Sequence, residues 1–134
     1  MKTKIILLLL INSVLLSCNT DDEVDEILNN LTIAVIKTVN IDDNTLSNIK
    51  VYAYLENNWL ENGDDTTKAD RNFTTTNTGL ASFSINYIPN TFTSNHQEKI
   101  YFSAHYVLDG INKTKFVSLI LKKGNRKNTT LILD

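Results

Sequence analysis

IYFSAHYVLDGINKTKFVSLIL, residues 100–121, is the stretch whose periodicity decides the fold. Ile100, Phe102, Ala104 and Tyr106 alternate with Tyr101, Ser103 and His105. A period of two sends one set to each face of a strand. Phe116 to Leu121 follows as a second, nearly continuous apolar strand. Between them stands Asp109-Gly110, a pair favoured in two-residue hairpin turns because both central residues need positive φ. The stretch therefore predicts an antiparallel hairpin with one face for a core.

The same period recurs on both sides of the hairpin. Leu31, Ile33 and Val35 alternate with polar or small residues, which makes their side the expected core face. Ile49, Val51, Ala53 and Leu55 alternate with Lys50, Tyr52, Tyr54 and Glu56, and Ala81, Phe83, Ile85 and Tyr87 with Ser82, Ser84 and Asn86. A weaker run covers Asn72 to Thr76, and Thr130 to Leu133 ends the chain. Turn-forming residues separate these runs at Asp42-Asp43-Asn44, Asn62-Gly63-Asp64-Asp65, Asn77-Thr78-Gly79, Pro89-Asn90 and Gly124-Asn125. Asn57 to Arg71 is predicted to be a long loop. Seven short strands with regular turns predict an all-β domain over residues 30–134, a seven-stranded antiparallel Greek-key sandwich. There is no internal repeat and no second domain.

The order of features is more specific. Thr38-Val39-Asn40-Ile41-Asp42-Asp43-Asn44-Thr45-Leu46-Ser47-Asn48-Ile49-Lys50-Val51 resembles the opening of transthyretin-like, carboxypeptidase-regulatory-like sandwich domains. Thr75-Thr76-Asn77-Thr78-Gly79-Leu80-Ala81-Ser82-Phe83 resembles that family's hairpin, and Tyr87-Ile88-Pro89 the strand exit after it. Leu46-Ser47-Asn48 stands where the family usually has Pro and Gly, so an immunoglobulin-like sandwich is the alternative topology. The resemblance implies an accessory sandwich without catalysis of its own. Hydroxyisourate hydrolases of the transthyretin-like group end in Tyr-Arg-Gly-Ser, whereas this chain ends Leu131-Ile132-Leu133-Asp134, so their activity does not carry over.

Ahead of the strands lies a different kind of sequence. Lys2 and Lys4 precede an apolar run, Ile5 to Ile11, extended by Val14, Leu15 and Leu16, in the layout of a secretory signal. That run is shorter than the roughly 17–25 residues of a spanning helix. Leu15-Leu16-Ser17-Cys18 resembles the lipobox of bacterial lipoproteins. The resemblance implies cleavage between Ser17 and Cys18, lipid on Cys18, and attachment to a membrane through that lipid. Residues 1–17 are then a signal peptide and 18–29 an acidic tether. Thr20 with Glu23, followed by Val24, Ile27, Leu28 and Leu31, also fits a short helix there. Asn19-Thr20-Asp21-Asp22-Glu23-Val24-Asp25-Glu26 resembles the acidic export signal of Bacteroidetes surface lipoproteins, which implies an outer-membrane location exposed at the cell surface.

Charge and chemistry narrow the function further. Lys2 and Lys4 leave with the signal, so the mature chain carries 11 basic against 15 acidic residues, about −4. That sign disfavours both nucleic-acid binding and attraction to anionic lipid. Cys18 is the only cysteine, so the exported domain has no internal disulfide and no thiol nucleophile. His96 and His105 lack the short spacing of a metal pair, and no metal or cofactor is expected. Asp42-Asp43, Asp64-Asp65 and Asp109 are expected at turns, where Asp bonds its own backbone. The feature that suits recognition is aromatic: Tyr52, Tyr54 and Trp59, with Asn57 and Asn58 beside the indole, form a candidate ligand patch for a glycan or an envelope protein. Three functions are carried forward. They are a non-catalytic envelope module, a glycan-binding accessory lipoprotein, and a small hydrolase using His105 with a nearby acid.

Overall fold

The computed structural model of the chain describes residues 31–93 and 96–134. The expected signal peptide, the Ser17–Cys18 cleavage and lipidation site, and the tether of residues 18–29 lie outside them. Seven strands follow in order: β1 (Ile33–Val39), β2 (Lys50–Leu55), β3 (Arg71–Thr74), β4 (Leu80–Ser84), β5 (Gln97–Leu108), β6 (Ile111–Lys122) and β7 (Arg126–Ile132). One helix, α1 (Glu56–Asn62), lies between β2 and β3. The strands form two sheets, ordered β4-β1-β7 and β3-β2-β5-β6, in a sandwich-like arrangement.

The hairpin of residues 100–121 is present and longer than its apolar runs. β5 and β6 pair antiparallel from Gln97↔Lys122 to Leu108↔Ile111, closed by Asp109 and Gly110 at φ 51° and 77°. Two positive φ values match the right-handed twist of the flanking strands. Tyr54, Phe102 and Phe83 are the largest fully buried side chains. The rings of Phe83 and Phe102 lie 5.1 Å apart and join the two sheets, with Phe73 edge-on to Phe83. Ile36, Val51, Ile100, Leu121 and Leu131 complete this core.

Four expectations are corrected. The smaller sheet is mixed rather than antiparallel, because β1 pairs antiparallel with β4 but parallel with β7. A chain that reverses at every connection runs its first and seventh strands the same way, so making them neighbours forces a parallel pair. On β1 the core face is Ala34, Ile36 and Thr38, one residue out of step with the expected Leu31, Ile33 and Val35. A β1 strand rich in apolar residues on both sides has no clean alternation to set its face. The run from Ala81 stops being a strand at Ser84. Ile85–Tyr87 form a 3₁₀ turn that buries Ile85 and turns Tyr87 outward. The predicted loop of residues 57–71 begins with α1, which Gly63 ends at φ 63° by donating its N–H to Trp59 O.

The connection from β1 to β2 is held by buried threonines. Thr38 Oγ1 donates to Leu46 O at 2.6 Å, and Thr75 Oγ1 donates to the same oxygen at 3.1 Å. Gly79 closes the β3–β4 connection at φ 71°, where an added Cβ would lie 2.8 Å from Thr38 O. Glycine is thus required there by backbone conformation and by contact.

Candidate functional site

Even-numbered β5 residues face the core, so Tyr101, Ser103 and His105 point outward with Tyr52 and Tyr54 of β2. α1 lies over this outer face and Trp59 is its point of contact. The indole stacks on Tyr101, with centroids 4.8 Å apart and planes 1° from parallel. It meets Tyr54 edge-on at 5.3 Å and Phe116 of β6 at 5.2 Å. The result is a four-ring cluster whose outermost member, Phe116, is 59% exposed.

Beyond the helix, Asp64 reaches back to the same face. Its Oδ1 accepts from Tyr54 Oη at 3.0 Å, while Oδ2 accepts from Ser103 Oγ at 2.6 Å and lies 3.0 Å from His105 Nε2. Ser103 is fully buried. Burial pushes the Tyr54 phenol well above its ordinary pKa, and the hydrogen bond to Asp64 and that carboxylate's charge add to the shift. Tyr52 meets His105 edge-on at 5.0 Å.

A second carboxylate fixes the start of the helix. Asp70 Oδ2 accepts from Leu55 N at 2.7 Å and from Asn58 Nδ2 at 2.9 Å. Asp65 accepts from Thr67 N and Thr67 Oγ1, and these bonds, the hydroxyl's first, hold its carboxyl below the usual range. Lys99 pairs with Glu56 at 3.0 Å beside the Tyr101 ring, so helix and sheet are also joined by charge. Its ammonium pKa is raised by Tyr101 and then by Glu56.

The predicted patch is therefore split. Tyr54 and Trp59 come together, but Tyr54 is buried beneath the indole and its ring is closed to a ligand. Tyr52 belongs with His105 instead. His96 is exposed near Lys122 and Lys123, away from His105. Among the described residues no group of three or more His, Cys, Asp or Glu could hold a metal ion.

Asp64 and Phe116 were not singled out from the sequence as site residues, and Asp64 is more than the turn residue expected there. Phe116 had a usable signal. A two-residue turn at Asp109-Gly110 fixes the register, and that register places Phe116 opposite Ser103 on the outward face. Asp64 had none, because its partners lie 10, 39 and 41 residues away.

Serine, histidine and aspartate in one cluster raise the question of hydrolysis. A triad needs histidine between the other two, so that its ring takes the serine proton while the carboxylate orients it. Here the carboxylate stands in the middle and the buried serine donates to it directly. This geometry fastens a loop to a sheet and does not have the order of a triad. The chain matches no family model, no curated protein and no solved structure.

Proposed function

We propose that the chain is a lipid-anchored lipoprotein of the cell envelope, held at the outer membrane by acyl chains on Cys18. Its sandwich is a non-catalytic module that binds a partner or supports an envelope assembly. The observation that carries the non-catalytic part is the order Ser103–Asp64–His105, with both partners on one carboxylate oxygen. The anchor is supported by the apolar run ending in Leu15-Leu16-Ser17-Cys18, since two or three acyl chains at one residue make release very slow. The Greek-key, transthyretin-like reading of the sandwich belongs to the same proposal. It is supported by the seven-strand count and by the threonine and glycine contacts at Thr38, Thr75 and Gly79.

Radiolabelled palmitate tests the anchor. It enters the wild-type chain and not Cys18→Ser; label absent from the wild type, or retained in the variant, refutes it. Covalent probes for serine hydrolases test the other half, because a probe captured at Ser103 would be incompatible with a structural serine.

A second reading is glycan capture, favoured by the Trp59–Tyr101–Phe116 rings beside Ser118 and Thr114 on the outward face. Flat apolar rings with polar neighbours suit sugar faces. Glycan-array binding that disappears in Phe116→Ser would favour it, and an empty array would return the module to a protein partner.

A further inference from the structure

β6 is the outermost strand of the four-stranded sheet, and among the described residues no strand pairs with its free side. The opposite edge of that sheet, β3, has four residues, whereas β6 has twelve. β6 holds no Pro or Gly, and its register with β5 runs unbroken from Ile111 to Lys122, so no bulge turns the edge away. The tight turn at Asp109-Gly110 makes Leu108 and Ile111 a hydrogen-bonded pair, and such pairs recur at every second residue. The odd-numbered residues of β6 therefore bond to β5. The even-numbered ones, from Thr114 through Phe116, Ser118 and Ile120 to Lys122, aim their N–H and C=O groups at the open edge. Lysines often guard such edges. Here Lys113 and Lys115 lie on the inner face and are drawn to Asp134, Lys113 Nζ donating to its backbone O at 2.9 Å and Lys115 Nζ to its Oδ1 at 2.7 Å. The outward face is apolar instead: Phe116 and Ile120, two positions to either side of Ser118, are each more than half exposed.

We infer that this edge is occupied by a second copy of the chain, β6 against β6, antiparallel about a two-fold axis at Ser118. The pairing joins two four-stranded sheets into one. A strand paired antiparallel with its own copy makes an isologous contact, in which each residue finds the same partner from either side. Centred on Ser118, the register sets Phe116 opposite the partner's Ile120 and Ile120 opposite the partner's Phe116, so both exposed apolar side chains are covered at once. Centred on Val117 it would set Phe116 against serine, and centred on Phe116 it would set Ile120 against asparagine. The Ser118 register also places Lys115 opposite the partner's Leu121 and Lys122 opposite the partner's Thr114, so within Thr114–Lys122 no lysine faces another. A paired segment of that length makes a contact about 30 Å long, at about 3.4 Å per residue. With two sheets about 10 Å apart and a layer of side chains outside them it is about 20 Å deep, so the two copies cover about 1,200 Å² in total. That is the lower end of the range for specific, stable interfaces, which makes the dimer sensitive to concentration.

The full chain carrying Cys18→Ser, which removes the one native thiol, tests this in density-matched detergent. Its sedimenting mass should be twice that of one chain and fall to one chain's on dilution. Ser118→Pro should halve the mass at every concentration with the circular dichroism of the sheets unchanged, because proline at this position removes only an N–H that faces the open edge. Ile120→Lys should halve it as well, by placing a charge in the apolar pair, and it keeps the test decisive if proline disturbs β6. In the same Cys18→Ser chain, Ser118→Cys should form a covalent dimer on mild oxidation, since the Cα atoms of a hydrogen-bonded antiparallel pair lie about 5.5 Å apart, within disulfide reach. Ser82→Cys, exposed on β4 of the other sheet, should remain a single chain. One chain's mass at every concentration overturns the pairing. So does a dimer that survives both substitutions, or a cysteine at position 118 that cross-links no faster than one at position 82. None of these outcomes bears on the lipid anchor, because Cys18 is absent throughout.

Discussion

The outer faces of the two sheets are built differently. Over the four-stranded sheet, α1 and the Asp64 loop add a second layer, with a stacked indole, an ion pair and a carboxylate shared by three side chains. The three-stranded sheet has no such layer among the described residues. Its outward positions Lys37, Ser82 and Thr130 are half-buried or exposed, although Val35 on the same face is buried. The core between the sheets depends on apolar burial that either face could support. What distinguishes the covered face is polar: it buries a serine hydroxyl and a tyrosine, which are tolerable only while Asp64 is present to accept from them.

The largest effect is therefore expected from Asp64→Ala. It strands the buried Ser103 hydroxyl and the Tyr54 phenol, each an unmet donor, and should cost about 3 kcal/mol in urea unfolding. Lys37→Ala on the other sheet should lie within about 0.5 kcal/mol of wild type. Trp59 is the only tryptophan, so its emission reports the covered face alone. In Asp64→Ala that emission should shift to the red at urea concentrations where the circular dichroism of the sheets is still native. Coincident transitions would mean that α1 is not a separable layer.

Next is Gly79→Ala, at the connection where the chain passes from one sheet to the other. The substitution forces a side chain into positive φ and against Thr38 O, and a loss of about 2 kcal/mol is expected, spread over both sheets. Indole emission and circular dichroism should here move together. If only the indole responds, the connection stabilises the covered face more than the core.

Legibility in the sequence follows the same division. The core was readable wherever one face of a strand is apolar and the other polar, as on β2 and β5, because period two alone then sets the face. It was misread on β1, where Ile33, Ala34, Val35 and Ile36 leave both faces apolar and the neighbours decide. The parallel β1–β7 pair was missed because hydrophobic pattern carries no strand direction. The covered face was half legible. Tyr52, Tyr54 and Trp59 stood out by type, and Tyr101, Ser103 and His105 by sharing a face. Asp64 looked like any turn aspartate, because the bonds that give it a role connect positions distant in sequence, and only the folded chain brings them together. α1 was hidden by its composition, since a helix of about two turns with one apolar contact has no stripe to detect.

A smaller effect is expected from pH acting through Tyr54. The folded chain holds this phenol's pKa above the unfolded value of 10.0, so folded Tyr54 keeps its proton where the unfolded chain has released it. The stabilisation is complete below about pH 10 and declines as pH rises beyond it, because the unfolded state there binds fewer protons than the folded one. Tyr54→Phe should cost about 1 kcal/mol at neutral pH, for one hydrogen bond to a carboxylate, and should flatten the alkaline decline. An unchanged decline in the variant would assign it to other groups.

On the covered face the smallest effect on folding is expected from Phe116→Ser, and it separates what this face needs from what it displays. Phe116 touches Trp59 from the solvent side, whereas Tyr101 and Tyr54 hold the indole from the sheet side. A ring already 59% exposed in the folded chain loses little water contact on folding, so its removal should change stability by less than about 1 kcal/mol. The indole, losing one aromatic neighbour, should still shift its emission to the red without any change in the sheets. A stability loss as large as that of Asp64→Ala would mean that Phe116 is part of the fastening of α1. A silent substitution in both measurements would leave the ring free for contact with a partner, the role that the glycan and protein readings both assign to this face.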